Sequence, residues 1–450
     1  LLRFFLRHHF PYFTLYHLTI KLIYRMKFID KIKAEYFFLI LGGLFGILFL
    51  FITPVFQVPD EPMHLLRACE VASGVIHNNK EGDITKDILP NRKIALKQNY
   101  SMFKEFNHKE HYTTLFEFKN LSYTHNNSGY SFLLYLPSAI GIKITSFFSH
   151  NPYTIFYAAR LFNLFSWLAL IYFAIKLTPF KWQYMICALF PMTVYEGMSI
   201  SADSVNIGFA FLYTAFIFHF AYVKKASLSV KDIILLATMT ILSVFFKGLF
   251  ILSLLLFLIP NEKFRLKYLI ISFLLALGGM LQMFVSANSY ILIANSVDIT
   301  ARKLMIINEP LYVLRLFANT FLHKSSFYLQ SSIFRLGWLD IEPNPIPVVL
   351  LFYAYLAGSC LDKIKVKNSD KLLVLAINGG FILLTVLLYY LTFSPLNNNI
   401  IIGAQGRYFI PLFLSFAVVC QNSLNIQSDK LKISILAIIL FNLIYAACII

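Results

Sequence analysis

Residues 36–64 read YFFLILGGLFGILFLFITPVFQVPDEPMH, and the fold turns on the first seventeen of them, Tyr36 to Ile52. An uncharged apolar run of that length is what a helix needs to cross a hydrocarbon core of about 30 Å. Comparable runs recur at 154–175, 182–198, 204–223, 267–287, 346–361, 371–392, 408–423 and 433–449. A membrane β-barrel would instead show alternating segments of roughly ten residues, and the sequence has none. The expectation is an all-α polytopic transmembrane bundle of about 10–13 helices making roughly ten to twelve passes. The run 233–259 is too long for one untilted pass and carries Lys247 and Gly248 at its centre. It predicts two short helices meeting at that Lys-Gly break.

Composition agrees. The 450 residues are 58% hydrophobic and 14% charged, whereas a soluble chain has about a quarter charged. The net charge of +17 does not point to nucleic acid, because most Lys and Arg lie in short segments between apolar runs, with no basic domain interleaved with aromatics. The five cysteines have neither CxxC nor metal spacing, so no disulfide framework or zinc site is implied. The stretch at 36–52 follows a basic region and lacks a small-residue cleavage signal, so it reads as a retained first span. Residues 1–35 are expected to be a basic cytoplasmic segment and 36–450 one membrane domain.

The basic segments set orientation. Lys21 to Lys33, Lys176 with Lys181, Lys224 with Lys225 and Lys231, Lys263 to Lys267, Lys363 to Lys371, and Lys430 with Lys432 all belong on the cytoplasmic side under the positive-inside rule. They share a side only if the apolar stretch 130–148, interrupted by Pro137, does not cross; it is expected to be re-entrant or interfacial. The segments 53–129, 198–203, 288–345 and 392–407 then face outward, with 53–129 and 288–345 as large outer loops.

Thr53–Arg67 is the most distinctive polar stretch. Asp60 and Glu61 sit between prolines that fix the backbone and start a helix at Pro62. His64 and Arg67 share a face of that helix. Asp60 or Glu61 could be a general base or bind a divalent cation, Mg or Mn, with Arg67 on a phosphate. The plainer alternative is that the carboxylates cap the helix. The HExxH of zinc proteases does not fit this order or its internal proline.

Asp203 and Glu196 lie in PMTVYEGMSISAD (191–203) at an outer boundary, where carboxylates are expensive unless paired or functional. Arg160 or Lys247 could be the partner of Glu196. In GAQGRYFIP (403–411), Arg407 offers a fixed fork of donors suited to phosphate oxygens, and Gly403 and Gly406 would let backbone approach a ligand. A snorkelling Arg is the alternative. RLGWLD (335–340) combines Asp340 with Trp338, which reads as an interfacial anchor. The sequons at Asn99, Asn120 and Asn126 read as chance occurrences. The eleven histidines, His8 and His9 included, have no usable metal spacing.

The order PDEPMHLLR, Arg160, PMTVYEGMSISADS, Lys247, RLGWLD and GAQGRYFIPL, spanning about residues 36 to 424, resembles the bacterial membrane proteins grouped as domain of unknown function 2142. Those in turn are similar to glycosyltransferases of the C-type fold (GT-C), which use polyprenyl-phosphate-linked sugars. The resemblance implies a GT-C-like bundle whose large first extracytoplasmic loop carries juxtamembrane helices. By the same resemblance Asp60 and Glu61 match an acidic motif, Asp203 takes the place of a second carboxylate, and Arg407 becomes a donor phosphate-binding residue, the role the reading of 53–67 gives to Arg67. One departure is THNNSGY (124–130), where other members have a Pro-rich aromatic string.

The function this implies is inverting transfer of a sugar from a polyprenyl-phosphate-linked donor to an extracytoplasmic glycan, lipid-linked or other cell-envelope acceptor, in a bacterial cytoplasmic membrane and without nucleic acid. Asp60 would be the base, Glu61 its partner or a metal ligand, and Arg407 and Arg67 the phosphate clamp. The alternatives are a transporter or flippase for a lipid-linked or anionic solute, with Glu196, Arg160 and Lys247 on its path, and a surface-glycan polymerase or ligase.

Overall fold

The computed structural model describes residues 33–74, 130–263, 278, 299–362, 364–395, 398–421, 426 and 428–450. The first helix, α1 (Ala34–Ile52), follows the opening apolar run. Phe38, Phe45, Phe49 and Leu50 are buried, while Leu39, Ile40, Leu44, Ile47, Leu48 and Phe51 stay exposed along the other face. A continuous exposed apolar face of this kind suits lipid and not water.

The chain continues through α2 (Glu61–Ala72), α3 (Leu136–Ser146), α4 (Pro152–Leu177), α5 (Lys181–Ala188), α6 (Pro191–Gly197), α7 (Ala202–Phe218) and α8 (Val230–Val244). Then come α9 (Ile299–Asn308), α10 (Pro310–Ile333), α11 (Pro345–Gly358), α12 (Asn368–Thr392), α13 (Ile410–Cys420) and α14 (Asp429–Ile449). No strand occurs among the described residues; the single β-bridge joins Leu336 and Ile341. Among the described residues five helices are long and apolar enough to cross a membrane: Ala34–Ile52, Pro152–Leu177, Ala202–Val223, Asn368–Thr392 and Asp429–Ile449. The protein is an all-α membrane bundle.

Several expected runs take other forms. The stretch 182–198 is not one helix, because Pro191 supplies no amide hydrogen and forces the preceding Phe190 to an extended ψ of 134°, which separates α5 from α6. The run 233–259 divides as its Lys-Gly pair predicts: α8 ends at Val244, Gly248 takes φ 68°, and a 3-10 helix runs Leu249–Leu258. Residues 346–361 form only the 14-residue α11, and the run at 408–423 begins as a 3-10 turn, Gly406–Phe409, before α13. The expected polar loop 288–345 contains α9 and the 24-residue α10. Val313 and Leu316 of α10 bury against Val386, Tyr390 and Leu391 of α12, a narrow apolar stripe that scattered polar residues hide from a hydropathy scan. The run 267–287 apart from residue 278, the three sequons, the departure at 124–129, and His8 and His9 lie outside the described residues.

The stretch 130–148 forms a short 3-10 turn, Phe132–Tyr135, and then α3. Eleven residues of α-helix span about 17 Å. A tight connection at 147–151 returns α3 antiparallel along the first half of α4, with Gly141 against Phe162 and the Ala158 carbonyl. Consequently α3 ends beside the start of α4 and begins about halfway along it.

The opposite ends of the helices meet through basic residues. Lys181 Nζ donates to the carbonyls of Ile175 (3.1 Å) and Lys176 (2.8 Å). Lys263 Nζ donates to Phe220 and Ala221 carbonyls, Lys224 pairs with Asp232, and Lys371 Nζ donates to the Gln421 carbonyl. Asp362, after α11, accepts from the backbone amides of Trp182 and Gln183 at 3.3 and 3.4 Å. The described lysine clusters between the helices therefore gather at one end of the bundle, and the C-terminus of α1 with the N-termini of α7 and α13 lies at the other.

Candidate functional site

That other end is organised by Arg160, which is fully buried. Its Nε and Nη2 donate to Glu61 Oε1 (2.9 Å) and Oε2 (2.7 Å). Its remaining donors reach the carbonyls of Leu50 (3.2 Å), Thr53 (2.8 Å) and Pro54 (3.0 Å). Every N–H of the guanidinium is used, and the same group closes the C-terminal end of α1, where helix carbonyls lack partners. Glu61 also accepts from the Ile200 amide at 3.3 Å, which ties α2 to the α6–α7 turn.

The loop between α1 and α2 is held carbonyl by carbonyl. After Thr53 and Pro54, the Phe56 carbonyl accepts from Trp338 Nε1 (2.9 Å) and the Gln57 carbonyl from Tyr195 Oη (3.0 Å). Trp338 belongs to the 336–341 hairpin, so this contact ties the hairpin to the loop between α1 and α2. Asp340 of that hairpin is exposed, and Arg335 pairs with Glu342.

This loop delivers Asp60 in the left-handed region, φ 61°, a conformation Asp tolerates better than most residues. Its side chain makes no capping hydrogen bond to α2. It faces Arg407 instead, Nη2 to Oδ2 at 3.4 Å, and is 45% exposed. The capping alternative therefore does not describe Asp60.

Arg407, 2% exposed at its side chain, meets three carboxylates: Asp60, Glu196 (Nη1–Oε1, 2.8 Å) and Asp203 (Nε–Oδ2, 3.4 Å). The partner of Glu196 is thus Arg407 and not Arg160 or Lys247; Arg160 is already saturated. Lys247 reaches Asp203 Oδ1 at 2.9 Å and lies 4.2 Å from the Tyr130 ring centroid. The Lys247 amide donates to Asn206 Oδ1 at 3.0 Å, which anchors the Lys-Gly break beside α7. Three carboxylates thus face two cations, leaving the cluster one charge negative. Asp60 is its accessible member; Glu196 and Asp203 are buried.

His64 and Arg67 border this cluster. His64 Nδ1 is 2.8 Å from Tyr135 Oη, with its ring stacked near Tyr130. Arg67 pairs with Glu70 at 2.7 Å. Tyr408 stacks on Tyr389, their centroids 5.8 Å apart. Tyr130, Tyr135, Tyr389, Tyr408 and Asn206 escape sequence reading, since an aromatic in a 17% aromatic chain carries no signal of its own.

Gly406 does not serve close approach to a ligand. A Cβ there would lie 2.0 Å from the Tyr328 carbonyl and 2.4 Å from Ser331 Oγ, so its bareness lets the Arg407 turn seat on α10. A divalent ion on Asp60 and Glu61 together does not suit these donors, because Glu61 gives both oxygens to Arg160 while Asp60 turns toward Arg407. Among the described residues no group of three or more His, Cys, Asp or Glu is arranged to hold a metal.

Fold and site together define a polytopic α-helical membrane protein with a charged, partly open cluster at one end. The chain belongs to the family described as predicted membrane proteins, DUF2142, whose model matches residues 41–416. Comparisons with curated proteins and with solved structures gave no match.

Proposed function

We propose that the protein is an inverting glycosyltransferase. It moves a sugar from a polyprenyl-phosphate-linked donor to a hydroxyl of an extracytoplasmic glycan or other cell-envelope acceptor. The observation that carries the reading is Asp60: a half-exposed carboxylate, rigidly delivered at the mouth of a buried ionic cluster, at the end of the bundle opposite the lysines. With the lysines inward, this end faces outside, where a lipid-linked donor lies at hand and Asp60 meets a reaction at the membrane surface.

In the step, the acceptor oxygen bonds to the anomeric carbon and the carbon–oxygen bond to the phosphate breaks. The acceptor proton goes to Asp60 and the electron pair leaves with the phosphate. Arg407 holds Asp60 in place, while Glu196, Asp203 and, through Asp203, Lys247 fix Arg407. Glu61 is a positioning residue, acting through Arg160 on the loop.

The transporter alternative draws on Glu196, Arg160 and Lys247 as charges along a path. Each is instead committed to a short ion pair at one end of the bundle, which favours the enzyme. The test is mass spectrometry of envelope glycans from cells lacking the protein, complemented with wild type or Asp60→Asn. One sugar missing from one glycan, restored by wild type and not by a folded Asp60→Asn protein, supports transfer. Full restoration by Asp60→Asn removes Asp60 as the base.

A further inference from the structure

Arg302 is a buried charge that stands apart from the cluster around Arg407. It lies in the first turn of α9 and is 1% exposed. Its Nη2 donates to the Ser394 carbonyl at 2.5 Å, and its guanidinium carbon stands 4.6 Å from the Tyr390 ring centroid. It forms no ion pair among the described residues, and its Nε has no hydrogen-bond partner. The Tyr390 hydroxyl beside it is likewise buried without a partner. Arg160 and Arg407, equally buried, are each matched by carboxylates; among the described residues Arg302 is not.

A buried guanidinium without a counter-charge is unfavourable unless an anion completes it. Three features say which anion. Arg302 stands in the first turn of α9, where the helix dipole adds positive potential. Residues 299–335 contain five basic residues against one acidic. Leu304 and Ile307 on the outer face of α9, and Leu311 and Leu314 on α10, expose their apolar side chains, so the helix pair that carries Arg302 presents a lipid-compatible surface. Tyr390 neighbours Tyr389, which stacks on Tyr408 next to Arg407; the two cations thus flank the C-terminal end of α12.

We propose that Arg302, with the Tyr390 hydroxyl, forms a separate anion-binding site that takes the phosphate group of a membrane lipid entering from the bilayer. Resting on the glycosyltransferase reading, that lipid is the polyprenyl phosphate donor or product. Its phosphate is then held by Arg302 and not by Arg407, whose charge is already balanced by carboxylates.

The experiment measures the thermal midpoint of the full chain in a phosphate-free detergent, with polyprenyl phosphate, polyprenol or inorganic phosphate added. Polyprenyl phosphate raises the wild-type midpoint and polyprenol does not. In Arg302→Gln the apparent affinity falls about tenfold or more, the worth of one or two charged hydrogen bonds. Arg302→Lys, which keeps the charge and loses the fork, lies between. A shift of equal size in wild type and Arg302→Gln overturns the site. An Arg302-dependent shift with inorganic phosphate as strong as with the lipid overturns the lipid source. Without ligand, Arg302→Gln unfolds no earlier than wild type, because an unmatched charge has been removed; a variant that unfolds much earlier or does not fold makes Arg302 structural and overturns the proposal. Binding is read without turnover, so a failure of Asp60 as base leaves this result standing, and the reverse also holds.

Discussion

Glu61→Gln is the substitution whose effect the structure fixes most tightly. Glu61 and Arg160 are both fully buried and joined by two charged hydrogen bonds at 2.9 and 2.7 Å. Gln keeps the shape but turns an amide donor toward a guanidinium that has only donors, and leaves its charge unmatched. Breaking one side of a buried pair costs about 3–5 kcal/mol, a large part of the roughly 5–15 kcal/mol that holds a typical fold. Arg160→Met also costs the carbonyls of Leu50, Thr53 and Pro54 their donors, so it is at least as harmful. The double variant Glu61→Gln/Arg160→Met loses less than the two singles combined, by about 1–3 kcal/mol, because its second change no longer strands a charge. A denaturant titration in mixed micelles, followed by fluorescence of the three tryptophans, measures all four proteins. Trp167 lies wholly inside the bundle and reports its opening. A Glu61→Gln protein within about 0.5 kcal/mol of wild type that had nevertheless lost activity would refute the positioning role and make Glu61 a reacting group.

Three further outcomes follow from single residues. Gly406→Ala places a methyl against the Tyr328 carbonyl and Ser331 Oγ and destabilises by about 1–3 kcal/mol or more, read as a lower thermal midpoint; an unchanged midpoint contradicts the packing. Trp338→Phe loses the bond to the Phe56 carbonyl and about 1 kcal/mol, with faster proteolysis of the 53–60 loop as the readout. Asp362, outside the spanning helices, has its carboxyl pushed up to about 7 by burial, against weaker opposition from the amides it accepts from. A carboxyl raised on folding favours the native state most below its unfolded pKa, near 3.9, and that advantage fades as pH climbs to 7. Asp362→Asn therefore unfolds later than wild type at pH 8, with the gap narrowing toward pH 4; a gap independent of pH contradicts it.

The bundle was legible because membrane spans declare themselves by length and apolarity, as at Tyr36–Ile52, and because Lys247-Gly248 marks its own break. Helix α10 was hidden, since its buried stripe is narrow and its other faces carry Arg315, His323 and Lys324. The residues of the ionic cluster were all identifiable, as charges inside or beside apolar runs must be accounted for. Their pairing was not: Glu196 meets Arg407 across 211 positions of sequence, and only the fold brings them together. The carboxylate pair Asp60-Glu61 looked like one unit and is two, because Asp60's left-handed backbone sends adjacent side chains to different partners. Arg302 gave no signal in sequence, where a basic residue in a polar stretch is ordinary.

The central claim is that Asp60 accepts the acceptor's proton during transfer from a lipid-linked sugar. Purified protein in liposomes carrying radiolabelled polyprenyl-phosphate-linked sugar and an envelope glycan acceptor tests it directly. Loss of one general base lowers the rate by about 10²–10⁴-fold. Wild type labels the acceptor, and Asp60→Asn, with an unchanged thermal midpoint, is slowed to that degree. An Asp60→Asn protein that labels the acceptor at the wild-type rate contradicts the account.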